Sequence, residues 1–241
     1  MHATPRPVTL SVLILARDEA ENLEHLLPQI AQALEAMGLE SETLVVDAHS
    51  ADGTADVALR HGARVIPEQR SGYAAALRQG FAACRGEFIL TVDADLSHRP
   101  EFFSALMQTA EDADLVVASR YVRGGRAAMP LSRRVLSRVL NTVFRRLLAV
   151  PVRDLSSGFR IYRREALLRL DPRGEHFDVL PEIAALGSLS GWRVREVPFD
   201  YRQRTAGVSK ARAFAFAPAY WRTLTRCWRF KRAADARRSG A

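Results

Sequence analysis

Apolar residues along the first 120 positions recur in two alternating patterns. Short continuous apolar runs predict buried strands, and stretches with an apolar residue every three or four positions predict helices. The predicted strands are Val8 to Ala16, 43–46, 63–66, 88–92 and 114–118. The predicted helices cover 19–37, a short stretch from Thr54, 71–83, and a stretch that begins at Pro100. This alternation predicts an α/β domain with an open, mostly parallel sheet and helices on both faces.

The pattern changes after residue 119. Residues 132–148 and 211–230 are two amphipathic stretches in which arginines alternate with apolar or aromatic residues, and Pro218 interrupts the second. Between them we predict a loop with short elements at 154–167, a helix around Glu182 and a strand at 192–198. The division predicts a main domain over residues 1–210 and a basic amphipathic segment over 211–241. Such segments suit the interface of an anionic bilayer, although packing on a core with solvated arginines remains the alternative.

Composition narrows the class of protein. The 241 residues carry a net charge of +8, and only two of the 35 basic residues are lysines. Arginine suits bidentate binding of phosphate, and eight arginines without any acid lie between Arg120 and Arg146. The two cysteines form no disulfide framework or zinc motif, which favours a reducing, cytoplasmic compartment. No aromatic or other nucleic-acid recognition motif accompanies the charge, so we expect no nucleic-acid partner.

Acidic residues follow two of the predicted strands at the point where each strand ends. Asp47 follows the second strand, and Asp93 and Asp95 follow the fourth. Ligands of open parallel sheets bind at the carboxyl ends of the strands. Two carboxylates one residue apart can hold one Mg²⁺ or Mn²⁺ ion shared with a phosphate ligand. The alternatives are a solvated acidic turn for the pair and a strand-end turn for Asp47, while Asp52 suits a helix cap.

Six motifs occur in a characteristic order and give the chain a family resemblance. They are LARDEAENL (15–23), VVDAHSADGTADVA (45–58), TVDADLSHRPE (91–101), ASRYVRGG (118–125), DLSSGFRIYRREAL (154–167) and VPFDYRQRTAGVSK (197–210). Together they resemble the family 2 glycosyltransferases of the GT-A fold, and among them the polyprenyl-phosphate (dolichol-phosphate) mannosyltransferases. The resemblance covers about residues 8–210. It implies a nucleotide-sugar donor, a polyprenyl-phosphate acceptor and a Rossmann-like sheet.

The resemblance also implies roles for individual residues. The donor's nucleoside would be lined by Leu15, Arg17, Glu19 and Asp47. Asp93 and Asp95 would hold the metal ion and the diphosphate, over which Arg204, Ser209 and Lys210 would close from a C-terminal loop. Arg120, Arg133, Ser137 and Ser209 would face the acceptor phosphate. Asp95, Arg120 and Arg160 are the implied catalytic residues, with a salt-bridge anchor as the alternative for Arg160.

The chain departs from the family's pattern on the nucleoside side. Where the family usually has Tyr, an Arg stands at 17, and Ala48 replaces the second residue of an Asp-Asp pair. Ser97 occupies a position, two after the second metal-binding Asp, that is often Gln or Ser. The donor base and sugar therefore stay open between GDP-mannose and a UDP-sugar carrying glucose or N-acetylglucosamine.

The resemblance predicts a single inverting displacement at the inner face of the membrane, with the enzyme associated peripherally. A lipid phosphate is already ionised at neutral pH and requires no general base. A saccharide or other hydroxyl acceptor is the rival, and it would need a carboxylate base such as Glu182 or Asp178. A catalytically inactive scaffold is a further alternative. His49 and His98 lack metal-ligand spacing and are interpreted as loop residues.

Overall fold

The computed structural model describes residues 8–201 and 217–239 and contains a seven-stranded sheet. The strands in chain order are β1 (Leu10–Ala16), β2 (Ser41–Asp47), β3 (Arg64–Pro67), β4 (Phe88–Asp93), β5 (Leu115–Ser119), β6 (Arg126–Ala127), β7 (Arg160–Arg163), β8 (Val194–Pro198) and β9 (Asp200–Tyr201). The order in the large sheet is β3-β2-β1-β4-β7-β5-β8, and β6 pairs with β9 in a small sheet. All neighbours in the large sheet are parallel except β7, which is antiparallel to both β4 and β5.

Helices cover both faces of the sheet. They are α1 (Ala20–Met37), α2 (Thr54–Arg60), α3 (Tyr73–Ala83), α4 (Phe103–Ala110), α5 (Leu131–Leu148), α6 (Arg164–Leu168), α7 (Val179–Leu189) and α8 (Ala217–Ser239), with a 3₁₀ turn at Pro100–Phe102. Side chains of β1 alternate between two buried clusters. Leu10, Val12 and Ile14 pack with α1, α2 and α4, whereas Leu13 packs with α3 and the C-terminal helices. The fold predicted from the strand and helix pattern is confirmed.

One strand of the sheet differs from the sequence prediction. Residues 154–167 were expected to form a loop with short elements, but Arg160–Arg163 is a strand at the centre of the sheet. Its four residues begin and end with arginine, so no apolar run marks it. The residues of β7 form a strand because they pair with β4 and β5, which are distant in sequence.

The helix α5 presents an apolar stripe outward. Its buried residues are Asn141, Phe144 and Leu148. The exposed stripe consists of residues spaced by four, each 39–64% exposed: Leu131, Val135, Val139, Val143 and Leu147. This arrangement differs from an ordinary surface helix, whose apolar stripe faces the core. The alternative of a helix that buries its apolar face in the core therefore does not describe this stripe.

The helix α8 packs on the body of the fold. Thr223, Leu224 and Cys227 are buried against α7 and its neighbours, while Trp221 and Trp228 are exposed. Pro218 lies in the first turn of α8, and because residues 211–216 lie outside the described residues, the predicted interruption at Pro218 stays a prediction. Within the described residues, no helix has the length and apolar character needed to cross a membrane. The predicted boundary at residue 210 lies outside the described residues and stays a prediction.

Candidate functional site

Strand register brings together the residues predicted at the sheet edge. Leu15 pairs with Asp93 across β1 and β4, and Ala16 pairs with Asp47 across β1 and β2. Because these strands are parallel, their carboxyl ends form one edge. Leu15, Asp47 and Asp93 therefore lie side by side, as the sequence prediction requires.

The loops after β1 and β2 are joined by hydrogen bonds. Asp18 N–H donates to Ser50 Oγ over 2.9 Å, and Ala51 N–H donates to Asp18 Oδ1 over 3.0 Å. Asp52 accepts from the N–H of Thr54 and from that of Ala20, each over 3.0 Å, so the predicted capping role of Asp52 is confirmed at two helices. Asp18 and His49 both adopt left-handed backbone angles, with φ of 54° and 55°. The two loops thus form one structured rim.

The rim carries the predicted nucleoside contacts. Arg17 is exposed on it, and Glu19 N–H donates to Thr54 Oγ1 over 2.9 Å. Asp47 is buried; its Oδ2 accepts from Ser50 N–H over 3.3 Å, and its Oδ1 has no hydrogen-bond partner in the described part of the chain. A buried polar atom without a partner is uncommon in folded proteins and marks a place that a ligand can complete.

Asp93-Ala94-Asp95 forms a tight turn at the end of β4. The side chain of Asp93 is 43% exposed, whereas Asp95 is 5% exposed and its Oδ1 accepts from Ser97 N–H over 3.0 Å. Leu96, which lies between Asp95 and Ser97, has a φ of 63°, and this backbone angle is strained for a residue with a bulky side chain. The Ser97 hydroxyl is buried and has no hydrogen-bond partner within the described residues. Strain and an unsatisfied hydroxyl both occur beside the two carboxylates.

These residues fit a divalent metal that is completed by a substrate. No group of three or more His, Cys, Asp or Glu side chains within residues 8–201 and 217–239 is arranged to hold a metal by itself. Mg²⁺ commonly takes only one or two carboxylates from the protein and its remaining ligands from phosphates and water. An exposed carboxylate next to a buried one, with an unsatisfied hydroxyl nearby, matches that ligand set.

His98 contacts Asp93, which the sequence interpretation did not anticipate. It is 4% exposed, and its Nδ1 accepts a hydrogen bond from Asp93 N–H over 2.9 Å. Its Nε2 lies 3.5 Å from Asp93 Oδ2. His98 lies in the loop after β4, as interpreted, but its contact with Asp93 was not predicted, because only the turn geometry brings the two residues together.

The predicted acceptor residues Arg120 and Ser137 meet at one serine. Arg120 Nη2 donates to Ser156 Oγ over 2.9 Å, and Ser137 Oγ lies 3.0 Å from the same oxygen. Arg120 also makes a two-point ion pair with buried Asp154, with both contacts at 2.7 Å. Asp154 and Ser156 were not predicted as site residues, although both lie within the DLSSGF motif. Arg133 is exposed on the first turn of α5.

Charge pairing stabilises the ionised forms of this cluster. Burial opposes the charge on Arg120, but the charge of Asp154 outweighs it and leaves the pKa of Arg120 above its ordinary value. Burial likewise opposes ionisation of Asp154, yet the charge and hydrogen bonds of Arg120 hold the pKa of Asp154 below its ordinary value. The cluster therefore keeps Arg120 and Asp154 ionised as a pair, with the guanidinium in contact with Ser156.

Arg160 has a different environment from the one predicted. Its side chain has no exposed surface. Its Nε, Nη1 and Nη2 donate to main-chain oxygens of Ser157, Leu180 and Leu155 over 2.6, 2.7 and 2.6 Å. These contacts give Arg160 the anchoring role, made through carbonyl groups and not through a salt bridge. Its implied catalytic role stays a prediction that no described contact supports.

The two carboxylates considered as bases for a hydroxyl acceptor are engaged elsewhere. Glu182 has no exposed surface and accepts from Gly174 N–H over 2.6 Å and from Arg226 Nε over 2.7 Å. Asp178 accepts from the Thr223 hydroxyl over 2.6 Å. Both side chains therefore attach α7 to α8. Arg204, Ser209 and Lys210 lie outside the described residues.

Comparisons with known proteins identify the family of the chain. The family model described as glycosyl transferase family 2 matches residues 11–170. A polyprenol monophosphomannose synthase of Mycolicibacterium smegmatis is 36% identical over 226 residues, covering 86% of this chain and 83% of that protein. A dolichol-phosphate mannosyltransferase of Pyrococcus furiosus is 35% identical over 214 residues, covering 83% of this chain but only 58% of that protein.

A solved structure shares the fold. Glucosyl-3-phosphoglycerate synthase from Mycobacterium tuberculosis, in complex with Mn²⁺, uridine diphosphate and phosphoglyceric acid, superposes with a TM-score of 0.70 at 26% identity. The match covers 91% of this chain and 78% of that one. The matched family model spans well over half of the chain and includes the Asp93-Ala94-Asp95 turn and the Arg120–Asp154 cluster. This chain belongs to glycosyl transferase family 2.

Proposed function

We propose that this protein transfers mannose from GDP-mannose to a polyprenyl phosphate with inversion at the sugar's anomeric carbon. The observation that carries the proposal is the meeting of Arg120 and Ser137 at Ser156, which brings a guanidinium and two hydroxyl groups, all of them hydrogen-bond donors suited to a phosphate, to one place. The two relatives named above act on polyprenol and dolichol phosphates by their names, and they match more than four fifths of this chain.

The donor would bind at the edge formed by β1, β2 and β4. Asp47, with one buried oxygen lacking a partner, and Arg17, exposed on the rim, would contact the nucleoside together with Leu15 and Glu19. Asp93 and Asp95 would hold a Mg²⁺ or Mn²⁺ ion, with the Ser97 hydroxyl as an additional ligand or water contact. When bound, such an ion neutralises the negative charge that develops on the departing nucleoside diphosphate.

The acceptor side would provide positioning and charge. A phosphate oxygen of the lipid attacks the anomeric carbon, a new carbon–oxygen bond forms, and the bond to the diphosphate breaks with its electron pair leaving on the diphosphate. The attacking oxygen is already ionised, so no proton transfer to the protein is needed. Arg120, together with Arg133 and Ser209, would offset the repulsion between the two anions.

The environment of Glu182 and Asp178 supports a phosphate acceptor over a hydroxyl acceptor. A hydroxyl acceptor requires a base within hydrogen-bond reach of its proton. Glu182 is buried between Gly174 and Arg226, and Asp178 is bonded to Thr223. Replacing each carboxylate with its amide should therefore affect stability more than turnover. A hydroxyl acceptor would instead make one of the two amide variants inactive while it remains folded.

A lipid acceptor would bring the enzyme to a membrane surface. The exposed stripe of α5 consists of apolar side chains spaced by four, and Arg133, Arg134, Arg138, Arg145 and Arg146 lie on the same helix. Exposed apolar residues beside cations suit the interface of an anionic bilayer. We propose peripheral association with the cytoplasmic face through α5, with Trp221 and Trp228 of α8 contributing.

A thermal-shift panel tests the donor half of the proposal. GDP, UDP, GDP-mannose and UDP-glucose would each be added with and without MnCl₂. We expect a metal-dependent rise in the unfolding temperature for GDP and GDP-mannose, which Asp95→Ala abolishes. A metal-dependent shift for the uridine nucleotides alone would overturn the assignment of the donor, and no shift for any nucleotide would overturn the transferase function itself.

A product assay tests the acceptor half. Purified enzyme with the preferred donor and a short polyprenyl phosphate should give a glycosyl phosphate of inverted configuration, observed by NMR. Retention of configuration, or a trapped glycosyl-enzyme, would contradict the single displacement.

A second candidate keeps the chemistry and changes both substrates. The glucosyl-3-phosphoglycerate synthase structure contains uridine diphosphate and phosphoglyceric acid, which is also a phosphorylated acceptor. A small phosphorylated acceptor would compete in the same product assay, and transfer to it in preference to polyprenyl phosphate would select this candidate.

A further inference from the structure

The imidazole of His98 contacts Asp93 with both of its ring nitrogens. Its Nδ1 lies 2.9 Å from the main-chain nitrogen of Asp93, and its Nε2 lies 3.5 Å from Asp93 Oδ2. Because Nδ1 accepts the main-chain hydrogen bond, the neutral ring carries its proton on Nε2. Both ring nitrogens therefore face one residue, and that residue is one of the two proposed metal ligands.

The ring is held in place by aromatic neighbours. His98 stacks on Phe159 with ring centroids 4.8 Å apart and planes 10° from parallel. Phe199 approaches it edge-on with centroids 5.9 Å apart. With 4% of its surface exposed, the ring cannot turn away from Asp93 without displacing one of these neighbours.

The loop that carries Phe159 also lies close to Asp93. A β-carbon added at Gly158 would lie 3.5 Å from Asp93 Oδ1 and 3.7 Å from Cε1 of His98. Gly158 is fixed by the hydroxyl of Thr91, which donates to its carbonyl oxygen over 2.6 Å. His98 thus lies between the end of β4 and the loop that contains the acceptor cluster, and it contacts both.

We propose that His98 is a positioning residue, which fixes the main chain and carboxylate of Asp93 in the orientation that the metal and donor diphosphate require. The proposal rests on the proposed function, since it assigns the metal to Asp93 and Asp95. His98 does not touch the substrate in this role. Residues that orient metal ligands through hydrogen bonds commonly change metal affinity by about 10–100-fold when they are replaced.

Two substitutions separate positioning from packing. His98→Phe keeps an aromatic ring between Phe159 and Phe199 but provides no acceptor for Asp93 N–H. His98→Asn loses the stacking but places an amide oxygen near the position of Nδ1. A packing role predicts that the Phe variant resembles the wild type more closely, whereas a positioning role predicts this of the Asn variant. His25→Phe, on the exposed face of α1, is the matched control.

The measurement is the affinity for Mn²⁺ in the presence of saturating GDP and, separately, UDP, read from the electron paramagnetic resonance signal of free Mn²⁺. Thermal unfolding without metal reports the fold of each variant. We expect His98→Phe to weaken Mn²⁺ binding about tenfold or more, in line with replaced partners of metal ligands, and His98→Asn to recover most of that loss. His25→Phe should bind as the wild type does.

Each remaining outcome has a separate meaning. If the wild type binds Mn²⁺ but the His98 variants bind it equally well, or Asn binds more weakly than Phe, the positioning role is overturned and the proposed function stands. If the folded wild type binds no Mn²⁺ with either nucleotide, both proposals fall. Should His98→Asn not fold, undiminished Mn²⁺ affinity of His98→Phe relative to His25→Phe overturns the role by itself.

Discussion

The two sides of the site hold their charged residues in different ways. The proposed donor side comprises the loops after β1, β2 and β4; its Arg17 and Asp93 are exposed to a large extent, whereas Asp47 and Asp95 are buried. The acceptor side comprises Arg120, residues 154–160 and α7. There Asp154, Arg160 and Glu182 have no exposed surface, and each is hydrogen-bonded within the protein.

This difference follows from the origin of each side. Parallel strands end at a common edge, so the donor side obtains its positions from the sheet and leaves its side chains available to a ligand. The acceptor side is built from an antiparallel strand, a loop and two helices that share no such edge. Buried charges and carbonyl contacts join these parts. We therefore expect substitutions to affect stability on the acceptor side and ligand binding on the donor side.

The largest expected effect is on the acceptor side. Asp154→Asn leaves the guanidinium of Arg120 largely buried without its counter-charge, and it should lower the free energy of unfolding by about 3–5 kcal/mol. Urea denaturation measures the change. Asp171→Asn, in the exposed pair with Arg173, is the control and should cost less than about 1 kcal/mol. If the two variants unfolded at the same urea concentration, the buried pair on the acceptor side would contribute no more to stability than an exposed pair.

The link between α7 and α8 should respond next. In Glu182→Gln, the remaining carbonyl oxygen cannot accept from both Gly174 N–H and Arg226, so one donor loses its partner. A loss of about 1–3 kcal/mol is expected on thermal or urea unfolding. Glu175→Gln is the control. The exposed carboxylate of Glu175 pairs with Arg222, which like Arg226 lies on α8, and its replacement should change the stability little. A Glu182→Gln variant as stable as the wild type would mean that the contact between Glu182 and Arg226 does not help to hold α8.

The contributions of Asp154 and Glu182 to the stability of the wild type should depend on pH in opposite directions. The pKa of Asp154 is lowered in the fold, so its contribution is present above its ordinary value of about 3.8 and is lost as the pH falls. The pKa of Glu182 is raised, chiefly by burial, so its contribution is present below about 4.5 and is lost as the pH rises.

Denaturation of each variant and of the wild type over a pH series tests these signs. The stability difference between the wild type and Asp154→Asn should widen as the pH rises from about 3 to about 5. The difference between the wild type and Glu182→Gln should narrow as the pH rises from about 4 to about 7. If both stability differences changed with pH in the same direction, the opposite pKa shifts of Asp154 and Glu182 would be contradicted.

A smaller effect is expected on the exposed stripe of α5. Val135→Thr combined with Val139→Thr should weaken binding to vesicles of anionic lipid about tenfold or more, because the two changes remove two methyl groups and each buried methyl-sized group contributes about 0.8 kcal/mol. Stability should stay nearly unchanged, since both side chains are exposed by more than half. Leu59→Ser, equally exposed on α2, is the control in the pelleting assay. Equal losses from both surfaces would show that binding is not located on α5.

The smallest effect on stability belongs to the donor side. Arg17→Ala should change the free energy of unfolding by less than about 0.5 kcal/mol, because the side chain is exposed. If Arg17 contacts the nucleoside, as we propose, the Kd for GDP should still rise several-fold in calorimetry. Arg169→Ala, an exposed arginine of the Arg169–Glu165 pair, controls for the loss of one charge. If Arg17→Ala lost as much stability as Asp154→Asn, substitutions on the two sides would not differ in their effect on stability.

The sequence by itself determined the sheet, its helices and the donor edge. Continuous apolar runs identify buried parallel strands, and Asp47 and Asp93 could be assigned to one edge because every parallel strand ends there. Asp52 could be assigned as a cap because short polar residues before a helix satisfy free N–H groups. These inferences need only local periodicity and the geometry of a parallel sheet.

Only the tertiary structure brings together the residues of the proposed acceptor side and places His98 against Asp93. The strand β7 has no apolar run, Asp154 meets Arg120 across 34 residues of chain, and Glu182 meets Arg226 across 44. The orientation of α5, with its apolar stripe outward, also depends on which residues the rest of the fold leaves uncovered. Such pairings arise from packing between distant segments, which a local pattern does not encode.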